Sequence, residues 1–249
     1  MPPIVRLGLG LGYRTINLSN KDKACGIINN FFFIHYKKER EQQSMIINEY
    51  LQETKVYVME GNVQEIQEQM NEIISLIQHK PNIQVMEIGF NAGHSADMFL
   101  YHNETLQLWS FDLGEHDCCK KAKTYIDNMY PSRHTLILGD SKTTIPLFVK
   151  QHPEKQFDLI FIDGGHLYET VKADLTNSYQ HLAHKETIIM MDDTMYSHGI
   201  KDGWPWQQVW NQGPTQIWNE FVTQHKIIEM YRKDYTAGRG MCWGKKCIQ

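Results

Sequence analysis

The chain has little cysteine, no long apolar run and no excess of basic charge. Five cysteines in 249 residues do not make the disulfide framework of a small secreted domain. Cys118 and Cys119 are adjacent and awkward to bridge, and Cys242 and Cys247 lack a His or Cys at useful metal-binding spacing. Free thiols are the expectation. No stretch approaches the roughly 18 apolar residues of a membrane span, and the opening MPPIVRLGLGLGYR is interrupted by Gly and Arg, unlike a signal peptide. A cytoplasmic protein without a membrane partner is expected. The formal charge of −4 supplies no basic field to release counterions, which argues against a nucleic-acid partner. What is present is ordinary globular composition, 41% hydrophobic and 22% charged, in a chain long enough for one large core or one domain with an appendage.

Residues 1–60 read as an N-terminal extension and helical cap, with two glycine-rich patches and the apolar run FFFI (31–34). That segment is expected to contribute to an acceptor site, and its apolar run to allow a homodimer. Residues 61–249 form the second region. It opens on an amphipathic helix in which Val63, Ile66, Met70, Ile73, Ile74 and Ile77 recur at spacings of three and four. Asn62 is its N-cap and Glu65 follows three residues on.

Strand and helix patterns then alternate. IQVMEIG (83–89), LQLWSFD (106–112), HTLILGD (134–140), FDLIFID (157–163) and TIIMMDD (187–193) read as strands, with helical segments between them. Near-continuous apolar strands of this kind predict a parallel sheet covered on both faces. Each ends in Gly, Asp or both, and ligands of such sheets lie outside the carboxyl ends of the strands. KIIEMYRKDY and GRGMCWGKK read as a final strand pair. The Trp-rich stretch with Trp204, Trp206 and Trp210 offers flat apolar surface for an acceptor pocket or a lid, or packs in the core.

The junction EIGFNAGHS (87–95) puts Gly89 at a tight turn and Gly93 at the start of a helix. Its spacing is not the dinucleotide G-x-G-x-x-G, which disfavours a nicotinamide cofactor. Asp112, 19 residues beyond Gly93, can accept the hydroxyls of a ribose, and Gly139, Asp140 and Ser141 offer a place for an adenine edge. Asp163 faces Asp192 and Asp193 across neighbouring strand ends. Three carboxylates together drive protons on unless a cation is present, and a hard divalent ion such as Mg²⁺ resolves the conflict. His166, three residues after Asp163, is the candidate base, or else packs at the helix start and orients Asp163.

These motifs, in this order, resemble the class I S-adenosylmethionine-dependent methyltransferases, and FDLIFIDGGHLYETVKADL resembles the small metal-dependent O-methyltransferase branch that includes catechol and sugar O-methyltransferases. The resemblance implies a Rossmann-like α/β fold of seven strands, the last antiparallel, with helices on both faces. It implies S-adenosylmethionine as cofactor, with Glu87, Gly89 and Gly93 at its amino-acid end, Ser95 on its carboxylate, Asp112 on its ribose, and Asp140 with Ser141 around its adenine. Metal ligation at Asp163, Asp192 and Asp193 is implied as well. The catechol branch has an amide where this chain has Asp193, and a lysine at the position of His166. The expected reaction is methyl transfer to a hydroxyl of a small sugar or phenolic acceptor. Rivals are a metal-independent N-methyltransferase or related enzyme, a noncatalytic nucleoside-binding domain, and an NAD-dependent oxidoreductase.

Overall fold

In a computed structural model, residues 4–9, 12–17, 47–55, 62–201 and 203–247 are described. The chain divides into two compact units, Met1–Asn48 and Glu49–Gln249. In the first, β1 (Ile4–Leu9) pairs antiparallel with β2 (Gly12–Asn17), Leu9 opposite Gly12. The FFFI run lies outside the described residues.

The second unit alternates as its hydrophobic pattern requires. A 3₁₀ turn at Val63–Glu65 leads into α1 (Gln67–Ile77), followed by β3 (Gln84–Ile88), α2 (His94–His102), β4 (Gln107–Asp112) and α3 (Asp117–Met129). Then come β5 (His134–Leu138), α4 (Ser141–Gln151), β6 (Phe157–Ile162), α5 (Tyr168–Asn177) and β7 (Ala183–Asp192). A short hairpin, β8 (Ile200–Lys201) and β9 (Trp204–Pro205), precedes α6 (Val209–Thr223), β10 (Ile227–Thr236) and β11 (Arg239–Lys246). The main sheet has seven strands in the order β10-β11-β7-β6-β3-β4-β5. Strands β7, β6, β3, β4 and β5 are parallel to their neighbours in that run, whereas β11 is antiparallel to both β7 and β10. This is the seven-stranded Rossmann-like arrangement with helices on both faces.

Its stability comes from strands buried on both sides. Leu159, Ile160, Phe161, Ile189, Met190 and Met191 are fully buried, each apolar side chain contributing about 1.5–3 kcal/mol on burial. α1 lays Met70, Ile73, Ile74 and Ile77 against this core. Its predicted stripe is interrupted at Ile66, whose extended backbone (φ −113°, ψ 97°) separates the 3₁₀ turn from α1. Asn62 caps the turn, accepting from Gln64 N–H at 3.0 Å.

One strand boundary differs from the one the pattern predicts. β7 begins at Ala183, which pairs with Phe157 before the register shifts to Leu159 opposite Ile188, and the Thr187 hydroxyl donates to the Phe157 carbonyl at 2.6 Å across that shift. α6 begins five residues before Pro214, with Gln208 and Asn211 forming a reciprocal cap. Gly213 and Pro214 lie inside it.

Candidate active site

All five parallel strands deliver their carboxyl ends to one edge, and there the chain forms a cleft of about 820 Å³. Gly89, Ser95, Asp112, Asp140, Ser141, Asp163, His166, Asp192 and Asp193 all line it. Gly93 and Glu87 do not: they act from behind the wall.

The glycine loop is built against protein. Gly89 has φ +100°, and a Cβ there would stand 1.9 Å from the Asp163 carbonyl oxygen. Only glycine lets the β3 end pass the β6 end at that distance. Gly93 (φ +76°) is the N-cap of α2. Asp112 holds the loop in place: one carboxylate oxygen accepts from the Phe90 and Asn91 N–H groups at 3.0 and 2.9 Å, and the other from Gly114 N–H at 2.7 Å. The Cys119 thiol also meets this carboxylate, which faces the cleft. Asp112 thus lines the cleft where a ribose is expected and also fixes the loop, a task that strand-end acidity did not reveal.

Behind the loop lies a buried polar chain. Ser110 Oγ is 2.5 Å from Glu87 Oε1 and 2.8 Å from His134 Nε2, linking three adjacent strands. Burial pushes the Glu87 carboxyl up to about 7, while Ser110 and Ser95 hold it down and Asp112 pushes it further up. Burial likewise pushes His134 down to about 3, so the imidazole is neutral. The ring of Phe90, which faces the cleft, stacks on it at 5.1 Å. Ser110 lies between Trp109 and Phe111, and His134 opens β5, so both sit in strands that otherwise read as core and neither stood out.

On the β5 side, Asp140 caps α4 by accepting from Lys142 N–H at 2.9 Å. It is exposed, and Ser141 half-buried. Buried Asp174 in α5 is held up near 6 by desolvation, against a lowering contact from Ser141.

At the far end, one ligand atom each from Asp163, His166 and Asp193 lies within 4.8 Å of the others. His166 Nε2 is 2.9 Å from Asp193 Oδ2. Asp193 sits in the left-handed region at φ +54°, a conformation Asp tolerates better than most residues. Asp192 is turned differently. Its Oδ1 accepts from the Gln69 side-chain amide at 2.7 Å and from Asp193 N–H at 2.9 Å, and it is outside the three-residue group although it lines the cleft. Burial raises Asp163 well above the usual carboxylate range, with Asp192 and Asp193 adding to it. Asp192 is raised to about 7, again chiefly by burial and then by Asp193. Arg239 lowers both.

Two carboxylates and an imidazole converging on one point fit a divalent cation. Carboxylate oxygens suit Mg²⁺ and Mn²⁺, and the imidazole nitrogen leans toward softer first-row ions.

Of the tryptophans, Trp210 lines the cleft with its indole N–H donated to Gly238 O at 3.1 Å. Trp204 is 69% exposed on the β8–β9 hairpin, and Lys201 sits over the Trp206 ring at 4.7 Å. α6 approaches the acid cluster through Gly213, where a Cβ would stand 2.3 Å from the His166 carbonyl oxygen.

Residues 86–194 match the family described as a methyltransferase domain. No curated protein sequence matches the chain. Among solved structures, an O-methyltransferase from Bacillus cereus in complex with SAH is 13% identical, with a TM-score of 0.61 over 82% of this chain and 90% of that one. TomG, an O-methyltransferase from Streptomyces achromogenes involved in tomaymycin synthesis, solved with SAM, is 12% identical at TM-score 0.61 over 82% and 89%. A ribosomal protein L11 methylase from Lactobacillus delbrueckii subsp. bulgaricus is 12% identical at TM-score 0.51 over 76% and 81%. Neighbours with such different acceptors share the architecture alone. The chain has the class I S-adenosylmethionine-dependent methyltransferase fold, with a methyltransferase domain matched over residues 86–194.

Proposed function

We propose that this protein transfers a methyl group from S-adenosylmethionine to a hydroxyl of a small sugar or phenolic acceptor, using a divalent cation held by Asp163 and Asp193. The carrying observation is that the Asp163–His166–Asp193 group and the glycine loop open into the same cleft. The cofactor, when bound, supplies a methyl already electrophilic on sulfonium, and the cation, when bound, lowers the pKa of the acceptor hydroxyl.

The chain's own residues then do three things. Ser95 and the Gly89–Gly93 loop seat the amino-acid end of the cofactor, Asp112 its ribose, and Asp140 with Ser141 its adenine. Asp163 and Asp193 fix the reacting end of the cleft, with Asp192 adding negative charge from behind. His166, oriented through Nε2 by Asp193, takes the proton as the hydroxyl attacks. Mg²⁺ is the expected ion, because Asp163 and Asp193 offer it hard carboxylate oxygens, with Mn²⁺ next on the same ligands.

The direct His166–Asp193 contact also favours a second reading, in which the pair works as an acid–base dyad without metal, on oxygen or nitrogen. The test is methyl transfer on a confirmed acceptor after exhaustive chelation, then with Mg²⁺ or Mn²⁺ added back. Activity lost in chelator and restored by metal is the expected result. Full activity in chelator would discard the metal and promote the dyad.

A further inference from the structure

One cation in the cleft is left unused by that reaction. Arg239 opens β11 and lines the cleft beside the acid cluster, where its charge is felt by both Asp163 and Asp192. Its Nη2 donates to the Asn62 carbonyl at 3.0 Å, and its Nη1 meets Glu65 Oε2 at a long 3.3 Å. These contacts leave donors of the five-donor guanidinium for a ligand. Among the described lining residues, the other permanent cation is Lys142, which sits 3.5 Å from Asp140 at the opposite, β5 end.

The guanidinium is held in place. Gly238, the preceding residue, donates its N–H to Trp206 O at 2.8 Å and accepts from the Trp210 indole at 3.1 Å. The Val63–Glu65 turn that Arg239 grips also reaches the glycine motif, since the Gln64 side chain donates to His94 O at 2.9 Å. Arg239 therefore shares a neighbour with the start of α2, which carries Ser95. A fixed planar fork facing a cleft suits a planar two-oxygen anion better than a hydroxyl.

We propose that Arg239 binds a carboxylate in this cleft, between the Val63–Glu65 turn and the acid cluster. The proposal rests on the methyl-transfer reading, which offers two sources: the amino-acid end of the cofactor, or an acidic group on the acceptor.

Calorimetry on the full chain, with and without Mg²⁺, separates them. Wild type, Arg239→Gln and Arg239→Lys are titrated with S-adenosylhomocysteine and with 5′-methylthioadenosine, which keeps the nucleoside thioether but lacks the amino-acid end. If the carboxylate is the cofactor's, Arg239→Gln weakens S-adenosylhomocysteine about tenfold or more, the scale of a lost charge-assisted bond, and leaves 5′-methylthioadenosine unchanged. If it is the acceptor's, both nucleosides bind as before. Wild type holding S-adenosylhomocysteine and Mg²⁺ then prefers 3,4-dihydroxybenzoate over catechol, and Arg239→Gln erases that preference. Arg239→Lys, which keeps the charge but not the fork, retains part of either discrimination and gives the reading should Arg239→Gln fold poorly. Equal weakening of both nucleosides, or no change in either ratio, overturns the proposal and makes Arg239 a counter-ion for the acids. Wild type binding neither nucleoside would overturn the methyl-transfer reading itself, and this proposal with it.

Discussion

Glu87 shows how much a single buried residue settles. Its carboxyl is fully buried and pushed up to about 7 from an ordinary 4.5. The folded protein therefore binds this proton more tightly than the unfolded chain does. As pH rises from about 4.5 to 7 the unfolded chain gives up its proton first, so stability falls across that window and stays lowered above it. Glu87→Gln removes the ionisation while its amide oxygen can still accept from Ser110. The variant should match wild type near pH 4.5 and exceed it at pH 8 by up to roughly 3 kcal/mol. Thermal or urea unfolding of the ligand-free protein at the two pH values measures this, and a parallel pair of stability curves would contradict it. Asp112 makes a different case. Because it accepts three backbone N–H groups, Asp112→Ala should lose stability by about 1–3 kcal/mol as well as cofactor affinity. A loss of affinity with unchanged unfolding would mean that the loop does not depend on it.

At the scale of elements, the strands were legible and the contacts between loops were not. Phe157–Ile162 and Gln84–Ile88 read as buried strands because their apolar runs are continuous and end in acid or glycine. The helix after the glycine junction was legible too, since Gly93 is its N-cap. The acid cluster was legible as chemistry, because three acids at strand ends repel. Its geometry was not: which way Asp192 turns depends on Gln69, 123 residues away in the chain. Arg239 was hidden for the same reason, as nothing in GRG says that the turn before β11 leans over the ends of β6 and β7. Gly213 gives no sign of its role in the sequence. A glycine before proline is an ordinary stop signal, yet here it lets α6 touch the His166 backbone. Replacing a helical Gly by Ala normally stabilises by about 1 kcal/mol. Gly213→Ala should do the reverse, because a Cβ would stand 2.3 Å from His166 O and 2.9 Å from Tyr168 N, and backbone cannot yield as a side-chain tip does. A lower unfolding midpoint together with reduced turnover is the expected pair of results. A stabilised variant with full activity would show that α6 is free to shift.

At the scale of the molecule, the described cleft is walled entirely by residues from Asn62 onward, and the second compact unit starts at Glu49. The main sheet and the described lining of the cleft both fall in that unit, in keeping with a methyltransferase domain matched over 86–194. A chain starting at Glu49 should fold cooperatively and bind S-adenosylhomocysteine within a few-fold of the full protein. Saturating ligand should stabilise both by the same amount, about 2.7 kcal/mol at a hundred times the dissociation constant. The acceptor is another matter. Sequence reading assigns residues 1–60 to its recognition, so methyl transfer by the shortened chain should fail while cofactor binding survives. Equal turnover by the two chains on a confirmed acceptor would place acceptor recognition wholly in the second unit, at Trp210, Arg239 and the β8–β9 hairpin. Loss of nucleoside binding on shortening would instead make the first unit part of the cofactor site.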